Sequence, residues 1–251
     1  MTDDQLCGVV LAAGEGRRLH PLTLVRPKPL CPVDNVPLID HALARVAAVT
    51  SDIAVNVHFG REAIEHHLGG QPIHVSVEDP VLLGTAGALG QLRPWIAGRP
   101  VAVVNADTWC PGSSLAAASA TWDHERVRLL VVGEDRLRPT SRVAGALLPW
   151  TEVAALEPEP SGLYEASWAR LAAEDRLDVR RWDGPWADCG TPASYLAANL
   201  AASGGASVIG KDAVVAGVVE RSVVWPGAEV AAGEHLVDAI RATARVTVLV
   251  R

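Results

Sequence analysis

The 251-residue sequence predicts an α/β fold, a mostly parallel sheet flanked by helices over residues 1–203, followed by a short β-helix tail over 204–251. Three observations carry that prediction. Apolar strand-like runs alternate with helical patterns through the first half of the chain. A glycine loop directly follows the first apolar run, and valines recur every six residues near the C-terminus.

The first run, "LCGVVLAA" at 6–13, suits a strand buried on both faces. Residues 37–49 place Leu38, Ile39, Ala42, Leu43 and Val46 at helical spacing, and "DIAVNVHF" at 52–59 reads as a second strand. A short helix at 61–68, a strand at 73–77, a helix in "TAGALGQLRPWI" and the strand "VAVVNAD" ending at Asp107 continue the alternation. "RVRLLVVG" at 126–133 reads as a further strand; from there to about 187 the segments are short and broken by prolines. Residues 191–203 predict a helix with Thr191 as N-cap and Pro192 in its first turn. Beyond the glycine pair at 204 and 205, Val218, Val224, Val230 and Leu236 share a six-residue step, with Val208 and Val214 two residues out of phase. That period predicts a parallel β-helix of about two turns, each apolar position pointing into its core, docked on the main domain or on another subunit.

Composition narrows the function. A net charge of −7 disfavours nucleic acid and anionic membranes as partners, so any anion site is built from a few placed cations. Four scattered cysteines, Cys7, Cys31, Cys110 and Cys189, without zinc spacing fit reduced thiols in a cytoplasmic protein. The acidic start "MTDDQLCGVVLAAGEG" does not read as a signal peptide, and no stretch approaches the roughly 18 apolar residues of a membrane span.

The stretch "LAAGEGRRLHPLTLVRPKPL" at 11–30 carries the chemistry. Gly14 and Gly16 let the backbone approach phosphates and aim amide donors at them. Leu19 stands where a dinucleotide fingerprint needs its third glycine, which disfavours a nicotinamide-cofactor protein. Arg18 offers a planar fork and Lys28 a point charge, the pair a triphosphate needs. Pro27 and Pro29 stiffen the segment around Lys28.

Extended to "LAAGEGRRLHPLTLVRPKPLCPV", the stretch resembles the signature of the sugar-phosphate nucleotidyltransferases, or NDP-sugar pyrophosphorylases. "LLGTAGAL" at 82–89 resembles their base-reading loop, "VVNADTW" at 103–109 their metal-aspartate strand, and "WADCGTP" at 186–192 the segment bearing a second aspartate. The tail resembles that of mannose-1-phosphate guanylyltransferases, and "VNADTWC" is nearer the N-acetylmuramate-1-phosphate uridylyltransferases. The resemblance implies a Rossmann-like, GT-A-like catalytic domain with a left-handed β-helix tail. It also implies transfer of a nucleoside monophosphate from an NTP to a sugar-1-phosphate, releasing pyrophosphate, with Mg2+ as cofactor. Arg18 and Lys28 would be catalytic, neutralising phosphates. Leu11, Ala12, Ala13, Gly14, Gly16, Arg18, Gly84, Thr85 and Ala86 would bind nucleotide, with Gly84 and Gly87 passing close to base and ribose and Thr85 capping the following helix. Asp107 and Asp188 would hold the metal, with Asn105 assisting or simply satisfying the strand end. A homo-oligomer through the tail is a further expectation.

One departure stands out. Many members carry a Glu-Lys-Pro phrase whose lysine holds the sugar phosphate, whereas "ALEPEPSGLYEAS" has Glu157 and Pro158 but no lysine. "SGLY" at 161–164 resembles the family's sugar strand, so Glu157 and Gly162 are the sugar-side candidates. The missing cation keeps open a noncatalytic relative that binds nucleotide sugars and regulates a partner.

Overall fold

The computed structural model describes residues 5–112 and 114–250. The chain divides into two compact units: one holds the chain up to Gly14 with Ala42–Ala106 and Cys110–Trp186, the other Glu15–His41, Asp107–Trp109 and the chain from Ala187 on.

In chain order the elements around the first unit's sheet are β1 (Cys7–Leu11), α1 (Leu38–Ala47, in this unit from Ala42), β2 (Ile53–Val57), α2 (Arg61–Leu68) and β3 (Ile73–Val77). There follow α3 (Gly84–Ile96), β4 (Val101–Asn105), α4 (Ser114–Ala120), β5 (Val127–Val132), β6 (Val143–Leu148), α5 (Ala169–Ala173) and β7 (Leu177–Trp182). The sheet order is β7-β5-β6-β4-β1-β2-β3. β6 runs antiparallel to both neighbours and the other neighbouring pairs are parallel, so the sheet is mostly parallel as expected. β1 lies between β4 and β2, which is why "CGVVL" is apolar on both faces: Cys7, Val9 and Val10 are all buried. Val9, Val103, Leu129 and Leu148 share one core cluster with Leu89, Leu92 and Ile96 of α3. Burying each such side chain contributes about 1.5–3 kcal/mol.

Two buried arginines are fixed by this sheet. Arg128 on β5 lies beside Asp178 on β7 in register, and its Nε donates to Asp178 Oδ2 at 2.6 Å. The register of β5 against β6 shifts between Leu130 and Val131, a bulge at Ala144. Arg45 of α1 donates from Nη2 to the Ala144 carbonyl at 2.6 Å.

The strand reading of "SGLY" is corrected. Ser161 and Gly162 are loop, Tyr164–Trp168 form one π-helical turn, and α5 follows directly. No β-branched residue occurs in 161–173, and Ala, Leu, Glu and Arg there favour helix.

In the second unit, α6 (Pro192–Ala202) has Thr191 as N-cap, with Ser194 completing a reciprocal capping box. Tyr195 donates its hydroxyl to the Pro32 carbonyl and accepts from Trp225 Nε1 at 2.9 Å; all three sit in or beside the unit's apolar core. The tail forms parallel ladders: Val208–Ile209 with Val223–Val224 and Ala239–Arg241, Val214–Val215 with Glu229–Val230, and Val218–Glu220 with His235–Val237. Its interior holds Val224, Val230 and Leu236 as expected, joined by Ala213, Val219, Ala228 and Ala239. The other three valines are corrected. Val208 faces the α6 core with Val223 and Ile240, while Val214 and Val218 are 59% and 51% exposed. Ladder partners are 15 residues apart (Val208 with Val223) or 17 (Val218 with His235), not 18, and in strands of two or three residues that slip turns a side chain outward.

Candidate active site

Four of the expected residues meet within the second unit. Asp107 follows β4, and the short strands Thr108–Trp109 and Ala187–Asp188 pair antiparallel, placing Asp188 opposite Thr108. The Cys189 N–H donates to the Asp107 carbonyl at 3.2 Å, so two carboxylates distant in sequence are clamped side by side. Lys28, in the 3₁₀ turn Lys28–Leu30, is only 4% exposed. Its ammonium lies 2.9 Å from Asp107 Oδ2 and 3.4 Å from Asp188 Oδ1, while Arg18 Nη2 lies 3.4 Å from Asp188 Oδ2. A buried lysine needs such partners to remain charged.

Gly190 makes room for this cluster. A Cβ there would sit 2.7 Å from Arg18 Nη2 and 2.8 Å from Asp188 Oδ1, so any larger residue would displace the ends of those side chains. The sequence reading assigned Asp188 to the site and gave Gly190 no role there. Gly16, also in this unit, has φ +65°, the left-handed conformation its residue type permits.

The nucleotide-loop candidates Leu11, Ala12, Ala13 and Gly14 lie in the first unit. Ala12 N–H donates to Asn56 Oδ1 at 2.8 Å and the Ala13 carbonyl accepts from Phe59 N–H. Asn56 Nδ2 in turn donates to Glu78 Oε1 at 2.6 Å, and Glu78 Oε2 accepts from Leu83 N–H at 2.7 Å. This buried relay ties the loop after β1 to the start of α3. Sequence reasoning missed it, although its signal was present: Asn56 interrupts an otherwise apolar strand.

Gly84, Thr85 and Ala86 open α3 and are sewn to residues 161–163. Ala86 N–H donates to Ser161 O at 3.0 Å, and Thr85 Oγ1 accepts from Leu163 N–H at 2.8 Å. Thr85 is therefore corrected as a cap: it lies inside the helix, whose N-cap is Leu83, and its hydroxyl serves another segment. Gly87 and Gly90 present a bare helix surface to the chain at 157–159, where a Cβ on either would overlap backbone atoms of Glu159 or Glu157.

On the sugar side the two candidates part. Gly162 lines a cavity of about 250 Å³ together with Leu11, Thr85 and Asn105, whereas Glu157 pairs with Arg93 and is not among its lining residues.

Burial pushes the Cys189 thiol beside Asp188 up to about 12, and does the same to Cys31. Both stay protonated at neutral pH and supply neither nucleophile nor thiolate ligand. Among the described residues no group of three or more His, Cys, Asp or Glu could form a metal cage. The acidic pair is a hard-oxygen donor set of two, which suits a cation that completes its shell with phosphate oxygens and water. No helix among the described residues is long and apolar enough to cross a membrane.

The loop that follows the first strand of the first unit's mostly parallel sheet stands where α/β proteins commonly bind nucleotides. The chain belongs to the nucleotidyl transferase family, whose profile matches residues 7–141. It is 32% identical over 227 residues to the N-acetylmuramate alpha-1-phosphate uridylyltransferase of Caulobacter vibrioides, covering 76% of this chain and 94% of that one. The enzyme of the same name from Neisseria meningitidis serogroup B is 33% identical over 214 residues, covering 73% and 92%. The mannose-1-phosphate guanyltransferase of Schizosaccharomyces pombe is 28% identical, covering 75% of this chain and 62% of its own length. A Bacillus anthracis structure provisionally assigned as a glucose-1-phosphate thymidylyltransferase, solved with sucrose, shares the fold with a TM-score of 0.66 at 22% identity, over 78% of this chain and 95% of that one.

Proposed function

We propose that this chain is a magnesium-dependent sugar-1-phosphate nucleotidyltransferase. The observation that carries the reading is the convergence of Asp107 and Asp188 on the buried Lys28 ammonium. A noncatalytic nucleotide-sugar binder would have no need to retain that cluster.

In the reaction a phosphate oxygen of the sugar-1-phosphate attacks the α-phosphorus of the NTP. A new oxygen–phosphorus bond forms, the bond to the β-phosphate oxygen breaks, and pyrophosphate leaves with its electron pair. The attacking oxygen is already anionic, so alignment and charge stabilisation supply the catalysis. The backbone of Leu11–Gly14 and the Gly84–Ala86 segment would hold the base and ribose, with the Gly16 amide and Arg18 on the phosphates. Lys28 has three donors; two point at Asp107 and Asp188, leaving one for a phosphate oxygen. Asp107 and Asp188 would hold Mg2+, which neutralises phosphate charge when bound.

The four buried free cysteines support a reducing, cytoplasmic setting, and the exposed Val214 and Val218 support self-association through the tail. Pyrophosphate release from a panel of NTPs and sugar-1-phosphates, with and without Mg2+, tests the reading. Binding of nucleotide sugars without turnover of any pair would overturn it.

A further inference from the structure

The cavity beside the nucleotide loop offers a clue to the acceptor. Its walls lie wholly within the first unit: Leu11 and Thr85 border it on one side, Gly145 of β6 forms another part, and the π turn contributes Tyr164, Glu165 and Trp168. Irregular π turns of this kind often mark functional positions because they redirect side chains that a regular helix would stack elsewhere.

Among the described residues Glu165 is the one charged residue lining this cavity. Its carboxylate lies over Gly162, where any Cβ would overlap it. Glu165 is exposed to solvent, and among the described residues its side chain has no hydrogen-bond or ion-pair partner, in contrast to Glu157, which is held by Arg93. A carboxylate in that state is held by water alone and is free to exchange it for sugar hydroxyls or an amine, which it binds with charge-assisted bonds. A second carboxylate brought into the same cavity meets repulsion from Glu165, and among the described residues no lysine or arginine lines the wall to offset it.

We infer that Glu165 sets acceptor specificity: the cavity takes the uncharged, hydroxyl-bearing ring of a neutral sugar-1-phosphate and rejects sugar acids. The inference rests on the activity proposed above and narrows its substrate class. It sets this chain apart from the uridylyltransferases it resembles, whose named substrate, N-acetylmuramate 1-phosphate, carries a carboxylate, and aligns it with acceptors of the mannose-1-phosphate kind.

The test compares matched acceptors differing in one group, glucose-1-phosphate against glucuronate-1-phosphate, with mannose-1-phosphate and N-acetylmuramate-1-phosphate alongside. Calorimetric binding to the full chain and pyrophosphate release are both read. The neutral member of the matched pair should be favoured by about tenfold or more. Glu165→Gln should shrink that ratio towards one, and Glu165→Lys should invert it, with circular dichroism confirming that both variants fold. Equal preference in the wild type, or a ratio unmoved by Glu165→Gln, overturns the inference even if turnover is brisk. Selective binding without turnover upholds it while overturning the proposed activity; no binding of any acceptor overturns both.

Discussion

Asn56 and Glu78, on and just beyond neighbouring parallel strands, are joined by a 2.6 Å hydrogen bond from Asn56 Nδ2 to Glu78 Oε1. Each partner spends its remaining oxygen on a backbone amide, Ala12 for Asn56 and Leu83 for Glu78. The bond thus couples two loops that approach the nucleotide in the proposed reaction. Glu78→Ala strands the Asn56 amide and the Leu83 N–H in a buried place and should cost about 1–3 kcal/mol per stranded donor. Denaturant titration measures that loss. A double-mutant cycle with Asn56→Ala should show coupling of about 0.5–3 kcal/mol, and additive single effects would remove the relay.

Asp107→Asn takes one anion from the buried Lys28 and half of the proposed metal site. Pyrophosphate release should fall by about a hundredfold or more, the scale on which removal of a single stabilising group acts. Lys28→Ala should lose a similar amount. Either variant remaining folded and fully active would remove the role assigned to that residue.

At Gly190 the expectation is geometric. Gly190→Ala puts a methyl group against Arg18 and Asp188, so activity should drop while the melting temperature moves little, because the clash is with partly exposed side chains.

Alkaline pH should unfold the chain through its thiols. Burial is the largest cause raising Cys7, Cys31 and Cys189 from 9.0 to about 12. Between those values the folded state keeps protons that the unfolded chain has released. The thiols' contribution is therefore whole below pH 9 and declines as pH climbs towards 12. Melting temperatures across pH 7 to 11 record the decline, and Cys189→Ala should flatten it. Iodoacetamide at pH 8 should label the native protein far more slowly than the urea-unfolded chain.

Asp178→Ala leaves the buried Arg128 guanidinium without its counter-charge and should destabilise the protein by about 3–5 kcal/mol. Replacing both partners by Met and Leu should cost much less, since no charge is then left stranded.

Legibility from the sequence followed the length and regularity of each segment. Helix 61–68 and strand 73–77 were readable to the residue, and the mostly parallel sheet followed from the alternation around them. The π turn at Tyr164–Trp168 was opaque because no periodic signal describes five residues, and a family likeness suggested a strand where the local residues favour helix. In the tail the repeat was visible, but strands of two or three residues let a slip send Val214 and Val218 outward. Arg18 and Lys28 were legible as placed cations beside a glycine loop, and Asp107 and Asp188 were named from the resemblance; the contacts that gather the four, such as the pairing of Asp188 with Thr108, come from long-range register that spacing does not encode.

That pairing also has a bearing on biosynthesis. The acidic pair exists only where Ala187–Asp188 docks on Thr108–Trp109, and Ala187–Asp188 follows all seven strands of the first unit's sheet in chain order. A nascent chain that has already folded its seven strands still lacks half of its charged cluster, and Lys28 waits with Asp107 alone. The acidic pair is therefore completed only after the sheet's last strand has been made, and the activity proposed above should be absent from a ribosome-bound chain halted before residue 187.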